Sequence, residues 1–331
     1  MCFSGKKFVC YRPDSFDYVE FDWIYEVNSN TTLIEIKQIG ICSSDFDRLY
    51  EGKAHIYPLT IGHEIIGEVV ETHPDSSFAP GDLVTVFPLL PCYVCKSCVN
   101  SDFNLCEDYS YYGSRQSGGL STFFEVSNSN LKIISSSIEG SLLSAIEPMS
   151  VVIHAYRKLC VDPQSLILTG SGFLTYLAYL YGKFVGVERI LIETSNSTFL
   201  SILDEASRLD ATEDLLVTRC LDFSGGEKTL EKIVMALSPK GQIVTIANSR
   251  EDTVISSRAR NFILRKELAI FGSWNSTFAT EDSDWDEAIA FLSKVKDFKF
   301  PLESIHFDDF GKFLELNDRN STIGKRIYVY F

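Results

Sequence analysis

The chain lacks an excess of positive charge. Its 331 residues contain 30 lysines and arginines against 45 aspartates and glutamates, which gives a formal net charge of −15 at pH 7. A surface of this sign repels a polyphosphate backbone and offers few cations to displace its counterions. The sequence therefore argues against nucleic acid as a partner.

A secretory leader and a membrane span are also missing. Residues 1–14 contain no apolar stretch followed by a small-residue cleavage site, so we expect a cytoplasmic protein. Residues 163–182 carry no charge over a length that could cross a membrane. Their polar side chains and the glycines Gly170 and Gly172 favour a strand, a turn and a helix instead. We therefore expect no membrane partner.

No internal repeat or low-complexity tract is present, and the apolar fraction of 45% and charged fraction of 23% are those of a globular protein. These values exclude disorder, collagen and a coiled coil for the chain as a whole. A length of 331 residues favours two domains.

Nine cysteines are present, an odd number, and without a secretion signal metal binding is favoured over a disulfide framework. Four of them, Cys92, Cys95, Cys98 and Cys106, follow a C-x2-C-x2-C-x7-C spacing in a polar loop. Such spacing lets a tight loop turn four thiolates toward one zinc ion, which would brace the fold. An iron–sulfur cluster is the chemical alternative to zinc at these four cysteines. The simplest alternative is that the four thiols are unrelated and bind no metal.

A second group of potential ligands is spread over the first half of the chain. It comprises Cys42, the pair His63 and Glu64, and Glu147. One zinc ion bound by Cys42, His63 and a carboxylate would keep a position open for water, which is the catalytic pattern. A single cysteine or histidine would more often be an ordinary core or surface residue.

The hydrophobic pattern changes near residue 150. Before it, short runs separated by turn residues predict an irregular, largely antiparallel sheet. After it, strands and helices alternate, which predicts βαβ units and a parallel sheet. The first set comprises Thr32–Ile36, Ile66–Val70, Leu83–Phe87 and Leu120–Val126. The alternating set comprises strands Ser165–Thr169, Ile190–Glu193, Leu215–Leu221, Gln242–Ala247 and Leu268–Ser273 and helices Phe173–Val185, Ser197–Leu209 and Lys228–Leu237, followed by a helix Asp284–Val295 and a strand Arg326–Phe331.

The parallel block begins with a glycine turn. Gly170 and Gly172 lie between a predicted strand and helix, where free N–H groups and the helix dipole can bind a pyrophosphate. The next strand ends in Glu193, which is placed to bind a ribose. The third glycine of the usual fingerprint is replaced by Thr175. A glycine turn without a nucleotide is the alternative.

Together these motifs resemble those of the zinc-dependent medium-chain dehydrogenases, and within them the polyol branch. The resemblance covers nearly the whole chain. It implies an α/β plus mainly-β fold, in which a GroES-like catalytic domain contains an inserted Rossmann-like doubly wound parallel sheet. We expect the GroES-like domain at 1–152, a shortened NAD-binding domain at 153–278 and a return to the catalytic domain at 279–331. The runs that carry the resemblance are GICSSD, GKAHIYPLTIGHE, PLLPCYVCKSC, GSRQSGG, IEPMSV and LRKELAIFGSW.

The resemblance also implies residue roles. Cys42, His63 and Glu64 would hold the catalytic zinc, and Glu147 would hold the zinc water or join the ligands. Asp45 would accept the other ring N–H of His63, and Ser44 would relay the proton of the substrate alcohol. Zinc would act as Lewis acid, and a hydride would pass from a secondary alcohol of a polyol or polyol phosphate to NAD. The cofactors that the resemblance implies are therefore NAD and two zinc ions, one catalytic and one structural.

Most departures from the family lie on the cofactor side, and near the zinc ligands only Ser43, where glycine is usual, differs. Besides Thr175, the usual ribose-binding aspartate aligns with Thr194, which leaves Glu193 one position earlier. About 30 residues separate that strand end from the turn at Asp222, too few for the usual further strand and helix plus the next strand. We expect NAD to bind more weakly than in ordinary members. NAD should still bind better than NADP, because 190–207 contains no lysine or arginine for a 2′-phosphate and Glu193 would repel one.

Two functions stay open at this point. The intact zinc motifs favour a working dehydrogenase, whereas the altered cofactor side permits a zinc-bound scaffold or binding protein that has lost redox activity. A phosphorylated substrate would need a cationic anchor, for which Lys53, Arg115 and Lys266 are candidates, although each could be an ordinary surface charge. The family resemblance further implies a homo-oligomer, either a homodimer or a tetramer.

Overall fold

The computed structural model describes residues 1–159, 164–204, 206–209, 216–249, 252, 254–279, 283–317 and 325–331. Within them the strands are β1 (Cys2–Arg12), β2 (Ser15–Ile24), β3 (Thr31–Ile41), β4 (Glu64–Glu71), β5 (Leu83–Val86), β6 (Leu89–Leu90), β7 (Ser110–Tyr111), β8 (Phe123–Ser127), β9 (Leu131–Ile133), β10 (Ser165–Thr169), β11 (Arg189–Glu193), β12 (Ser207–Arg208), β13 (Arg219–Asp222), β14 (Gln242–Thr245), β15 (Ala269–Gly272), β16 (Leu302–His306) and β17 (Arg326–Tyr330). The α-helices are α1 (Ser43–Tyr50), α2 (Lys96–Val99), α3 (Ile146–Arg157), α4 (Phe173–Phe184), α5 (Ser197–Ser201), α6 (Glu227–Ala236), α7 (Ser257–Lys266), α8 (Asp284–Leu292) and α9 (Phe310–Leu316).

The chain divides into two compact units. The first, called the β-rich unit here, comprises Met1–Pro148, Thr277–Lys296 and Pro301–Phe331. The second, called the α/β unit, comprises Met149–Ser276 and Asp297–Phe300. The β-rich unit is therefore built from both ends of the chain.

The β-rich unit is organised around a seven-stranded sheet. Its order is β16-β17-β3-β4-β5-β9, and β8 pairs with β3. All pairings are antiparallel except β16 with β17. Alternate apolar residues of these strands, such as Ile34, Ile36, Val84 and Val86, are buried in one core with Phe310 of α9. The predicted antiparallel sheet is confirmed, and β1 and β2 add a hairpin that the sequence patterns did not indicate.

The α/β unit contains one parallel sheet of six strands. Its strands lie in the order β12-β11-β10-β13-β14-β15. When these six strands are numbered along the chain, the order is 3-2-1-4-5-6. This is the order of a dinucleotide-binding fold, with the reversal point between β10 and β13. The predicted strand, turn and helix at 163–182 are present as β10 and α4, except that Pro163 lies outside the described residues. The predicted fold class is confirmed.

The predicted helix Ser197–Leu209 is wrong in its second half. α5 ends at Ser201, and 207–208 instead form β12, which pairs with β11. The Leu209 N–H donates to the Ile192 carbonyl at 2.9 Å, and the Leu209 side chain is buried in the core of the unit. Pairing with the sheet therefore outweighs the helical pattern of the sequence. The short spacer before Asp222 thus retains a third strand, reduced to two residues.

Two other predictions have the right element with different bounds. The predicted strand Leu215–Leu221 corresponds to β13, while Leu215 itself lies outside the described residues. The predicted helix Asp284–Val295 corresponds to α8, which begins after Ser283, whose hydroxyl accepts a hydrogen bond from the Asp286 N–H at 3.2 Å. Among the described residues no helix combines the length and apolar character needed to cross a membrane.

Close packing of backbone fixes the segment that carries His63. Gly62 has φ +92°, a conformation that side chains other than glycine rarely adopt. The Gly118 N–H donates to the Thr60 carbonyl at 2.7 Å, and the Gly119 N–H donates to the Gly62 carbonyl at 2.9 Å. A Cβ atom on Gly118 would lie 2.2 Å from the Gly62 carbonyl oxygen. The two segments can approach this closely only because a glycine occupies position 118.

Gly118→Ala should therefore destabilise the protein by about 1–3 kcal/mol, because backbone atoms must move to admit the methyl group. Gly140→Ala is the matched control, since nothing lies within 4 Å of a Cβ at that position. We expect the control to change the free energy of unfolding by less than about 0.5 kcal/mol. Urea unfolding of the three proteins measures both effects, and equal stabilities would contradict the packing argument.

Candidate metal centres and cofactor edge

The four cysteines of the polar loop form a compact cluster. Their sulfur atoms all lie within 4.8 Å of one another. The Sγ atoms of Cys92 and Cys98 are 3.9 Å apart, and those of Cys95 and Cys106 are 4.0 Å apart. The Cys95 N–H points at the Cys92 sulfur at 3.3 Å, and the Cys92 N–H points at the Cys106 sulfur at 3.2 Å. Such amide contacts favour thiolates over thiols.

These separations fit one tetrahedral ion. Zinc–sulfur bonds of about 2.3 Å at tetrahedral angles place neighbouring sulfurs about 3.8 Å apart. An iron–sulfur cluster inserts several metal atoms between its thiolates and so needs wider spacing. The geometry therefore favours zinc over the cluster and over four unrelated thiols. With four protein ligands, the ion would have no open position for a substrate.

Strand register brings the second group of ligands together. Cys42 follows the end of β3, Glu64 begins β4, and β3 pairs with β4 so that Gly40 lies opposite Glu64. His63 directly precedes Glu64. Ligand atoms of Cys42, His63 and Glu64 all lie within 4.8 Å of one another, and His63 and Glu64 are buried. A thiolate, an imidazole and a carboxylate are the donors of a three-ligand zinc site.

Asp45 connects this cluster to α1. It is fully buried, and its carboxylate accepts hydrogen bonds from the Cys42 N–H at 3.0 Å and from Arg48 at 2.8 Å. Its Oδ1 lies 3.4 Å from Nδ1 of His63. Burial opposes the charged form, but His63, Arg48 and the Cys42 amide favour it more strongly and lower the pKa of Asp45 to about 2. An ionised Asp45 next to Nδ1 leaves Nε2 of His63 available to bind a metal ion.

Ser44 is half-buried on the first turn of α1. Its hydroxyl oxygen accepts a hydrogen bond from Arg48 at 3.1 Å. One guanidinium therefore contacts both Ser44 and Asp45, four and three residues earlier on the helix. Because the serine oxygen accepts from Arg48, its own O–H is left to donate elsewhere.

Glu64 forms a buried ion pair with Arg326, the first residue of β17. Arg326 also donates to the Ser144 carbonyl at 3.0 Å, and both charged side chains are almost inaccessible to solvent. A Cβ atom at Gly40 would lie 1.9 Å from the Glu64 carboxylate and 2.1 Å from the Arg326 guanidinium. Glycine at position 40 thus makes room for the ion pair between β4 and β17.

Glu147 lies at the start of α3, beside the three-residue cluster and not within it. Burial, together with the like charge of Glu64, raises the pKa of Glu147 to about 7, against the opposing charge of His63. The ring of Tyr111 lies 5.8 Å from that of His63. Burial, reinforced by the charge of Glu147, raises the pKa of Tyr111 far above its usual value, so its hydroxyl stays protonated.

In the α/β unit, polar groups gather at the carboxyl ends of β10 and β13. Gly170 has φ +90°, and its N–H donates to the Glu193 carbonyl at 3.0 Å. Gly172 precedes α4 and has no side chain that could cap the helix, so amides of its first turn can receive an anion. The hydroxyl of Thr169 donates to Asp222 at 2.5 Å and accepts from the Phe223 N–H at 3.0 Å. A glycine turn at the reversal point of a parallel sheet fits a dinucleotide.

The three residues that depart from the family pattern each have a structural partner. The hydroxyl of Thr175 donates to the Thr169 carbonyl at 3.0 Å. Thr194 accepts from the Asn196 N–H at 3.1 Å. Glu193 forms an ion pair with Lys232 of α6 at 2.5 Å. All three lie at the carboxyl edge of the sheet, where the sequence placed them.

The three candidate substrate anchors differ in their surroundings. Lys53 forms an exposed ion pair with Glu51 at 2.6 Å. Lys266 donates to three carbonyls at the end of α6, which makes it a helix cap. The guanidinium of Arg115 lies 4.7 Å from the ring centre of Tyr109, whose ring is 6.4 Å from that of Tyr111. Of these, Arg115 is linked through aromatic rings to the cluster around His63.

Sequence reasoning missed Arg48, Lys232 and Arg326. Arg48 could have been found, because spacings of three and four residues place it beside Asp45 and Ser44 on a helix. Arg326 and Lys232 contact carboxylates 262 and 39 positions away, and no local pattern marks either of them.

Comparison with known proteins supports the same family. Residues 28–135 match the alcohol dehydrogenase GroES-like domain family. The chain is 28% identical over 318 residues to galactitol 1-phosphate 5-dehydrogenase of Escherichia coli K12, covering 89% of this chain and 91% of that protein. The resemblance to medium-chain polyol dehydrogenases, with this enzyme as a near relative, is confirmed.

Solved structures show the same fold. The crystal structure of galactitol-1-phosphate dehydrogenase from Escherichia coli superimposes with a TM-score of 0.90 at 23% identity and covers 98% of this chain and 100% of that one. A short chain alcohol dehydrogenase of Escherichia coli CFT073, complexed with NADH, gives a TM-score of 0.85 at 21% identity, with 99% of both chains covered.

In the metal-free protein Arg326→Met should lower the free energy of unfolding by about 3–5 kcal/mol, because it leaves the buried Glu64 carboxylate without its counter-charge. Lys325→Met is the matched control, since Lys325 forms an exposed ion pair with Glu303 at 2.8 Å and should contribute at most about 1 kcal/mol. Chemical unfolding of both variants measures the difference. A similar small effect in both would show that the Glu64 charge is compensated in another way.

Proposed function

We propose that this chain is a zinc-type medium-chain alcohol dehydrogenase, which transfers a hydride between a secondary alcohol of a polyol or polyol phosphate and NAD. The observation that carries the proposal is the convergence of the partly exposed Cys42 with the buried His63 and Glu64, whose ligand atoms all lie within 4.8 Å of one another. The four cysteines of the loop already offer a site for a structural ion. Three ligands of mixed type at a second site support a catalytic ion.

A zinc ion held by Cys42, His63 and Glu64 would supply a Lewis acid that makes a bound hydroxyl more acidic. The chain's own residues prepare for this chemistry. Asp45 stays ionised and orients His63, and Ser44, with its oxygen bound by Arg48, is left to pass on the substrate's hydroxyl proton. These roles are proposals supported by the contacts.

Glu147 completes the proposed site. Its pKa of about 7 lies near neutral pH, so it could exchange a proton with a water molecule beside the cluster. This agrees with its expected place near the zinc water or in the ligand set.

The nicotinamide cofactor would bind at the carboxyl edge of the α/β sheet. Gly170 and Gly172 would receive the pyrophosphate at the start of α4, and Glu193 and Thr194 would lie on the ribose side. Glu193 supports NAD as the preferred form, since a carboxylate accepts hydrogen bonds from a ribose and repels a 2′-phosphate. The nicotinamide ring would accept the hydride.

For the substrate we propose a galactitol-1-phosphate-like polyol. The support is the relative of that name and the position of Arg115, whose guanidinium could bind a phosphate. The alternative, a zinc-bound scaffold without redox activity, is not favoured, because the relatives are named as dehydrogenases.

We further propose a cytoplasmic homo-oligomer, with a dimer formed through β15. Within the described residues β15 pairs only with β14, so its other edge is free. Ile270 and Phe271 on this strand and Trp274 after it are exposed by 42%, 38% and 44%. An unpaired edge with large apolar side chains is a ready template for pairing with a second copy.

We expect two zinc ions per chain, because two separate ligand sets are present. Cys98→Ser should leave about one, since a structural site does not hold the metal with three cysteines. Cys2→Ser is the control, because Cys2 is exposed and belongs to neither cluster. Elemental analysis of the purified proteins decides the count. One zinc in the parent, or iron with visible absorbance, would contradict the assignment.

His63→Ala should abolish turnover and leave the fold intact, because the bracing ion lies in the cysteine loop. The test is nicotinamide reduction with a panel of polyols and polyol phosphates, together with circular dichroism. His73→Ala, which removes a partly exposed imidazole outside both clusters, should keep the parent rate. If His63→Ala retains most of its activity, the zinc assignment and the proposed chemistry fail.

A further inference from the structure

The ion pair between Glu193 and Lys232 joins two different parts of the α/β unit. Glu193 is the last residue of β11, and Lys232 lies in the middle of α6. Nζ of Lys232 is 2.5 Å from Oε2 of Glu193, and the two side chains are 34% and 16% exposed. Oε2 is shielded from solvent and makes no hydrogen bond within the described part of the chain beyond this ion pair. The lysine is therefore the main partner of this oxygen.

The pair lies beside the glycine turn. Glu193 is opposite Thr169 in the register of β11 and β10, and its carbonyl accepts the Gly170 N–H at 3.0 Å. In a dinucleotide-binding sheet, the carboxylate that ends the second strand reads the 2′-hydroxyl of the adenosine ribose. In this chain, a cation is in contact with the group that reads the 2′ position.

Charge at the 2′ position decides between NAD and NADP. A carboxylate alone repels the phosphate of NADP, and 190–207 offers no lysine or arginine to offset this. Lys232 supplies the missing cation from a different element. Its side chain is one-third exposed and flexible, with three donors, so it can contact the carboxylate and a ligand phosphate. The local sequence therefore overstates the preference for NAD.

Building on the proposed function, we propose that Lys232 is a cofactor-specificity residue, which donates to the 2′-phosphate of NADP and so limits the preference for NAD that Glu193 creates. NAD remains the better ligand, and NADP binds within about tenfold of it. The ammonium contributes little to NAD binding, because the ribose hydroxyls interact with Glu193.

The test is calorimetric titration of the purified full-length, zinc-loaded protein with NAD and with NADP. Lys232→Met should weaken NADP binding by about 10- to 100-fold, the effect of losing a charge-assisted hydrogen bond to phosphate. NAD binding should change by less than about threefold. Lys232→Arg should keep the NADP affinity of the parent, because it keeps the charge and the donors.

Lys240→Met is the matched control. Lys240 forms an ion pair with Glu267 in the same unit, but it precedes β14 and so lies at the opposite edge of the sheet. Lys240→Met should leave the dissociation constants of NAD and of NADP unchanged. If Lys232→Met weakens the binding of NAD and NADP equally, or changes the binding of neither, Lys232 does not read the 2′ position. In that case only this inference fails. If the parent binds neither dinucleotide, the inference and the cofactor half of the proposed function fall together.

Should Lys232→Met not fold by circular dichroism, the parent and Lys232→Arg still decide the matter. A contact with the 2′-phosphate is screened by salt, so NADP binding should weaken more steeply than NAD binding between low and physiological ionic strength. Identical salt dependence for the two dinucleotides would overturn the inference.

Discussion

The buried ion pair between Glu64 and Arg326 is the interaction on which the candidate metal site of the β-rich unit depends. A buried guanidinium is tolerated only when it is paired and its remaining donors are bonded. Arg326 meets this condition through Glu64 and the Ser144 carbonyl. The pair therefore ties β17 to β4, the strand that begins with the candidate metal ligand Glu64. This contact fixes β17 in the β-rich unit, far along the chain from β4.

The same pair explains why the neighbouring backbone has so little freedom. Gly40 lies opposite Glu64 on β3 and opposite Tyr328 on β17, so any side chain there would enter the space of the two charges. Gly62 and Gly118 then fix the approach to His63 by backbone contact alone. The ligands converge because small residues let strands and loops come close together. The ligand motif and the glycines are thus parts of one packing solution.

What the sequence could predict depended on the distance between interacting residues. The clustering of the loop cysteines and the parallel strand–helix block follow from short motifs or regular patterns, and the Asp45 contact with His63 is what the family resemblance implied. The structure contains all three. The helix at 197–209 failed because pairing of Leu209 with β11 is a tertiary effect that periodicity does not contain. Arg326 and Lys232 were missed for the same reason. Each contacts a carboxylate that is adjacent only in the folded chain.

The two long-range ion pairs also show how burial decides what a charge can do. Arg326 and Glu64 expose 6% and 2% of their side chains, so neither can move away from the other without leaving a charge uncompensated in the core. Lys232 is 34% exposed, so its ammonium can also reach a ligand at the surface while it stays next to Glu193. A fully buried pair therefore fixes geometry, whereas a partly exposed pair can respond to a ligand. On this physical basis the Arg326 pair suits a structural role beside the candidate metal site, and the Lys232 pair suits the proposed role in cofactor recognition at the edge of the sheet.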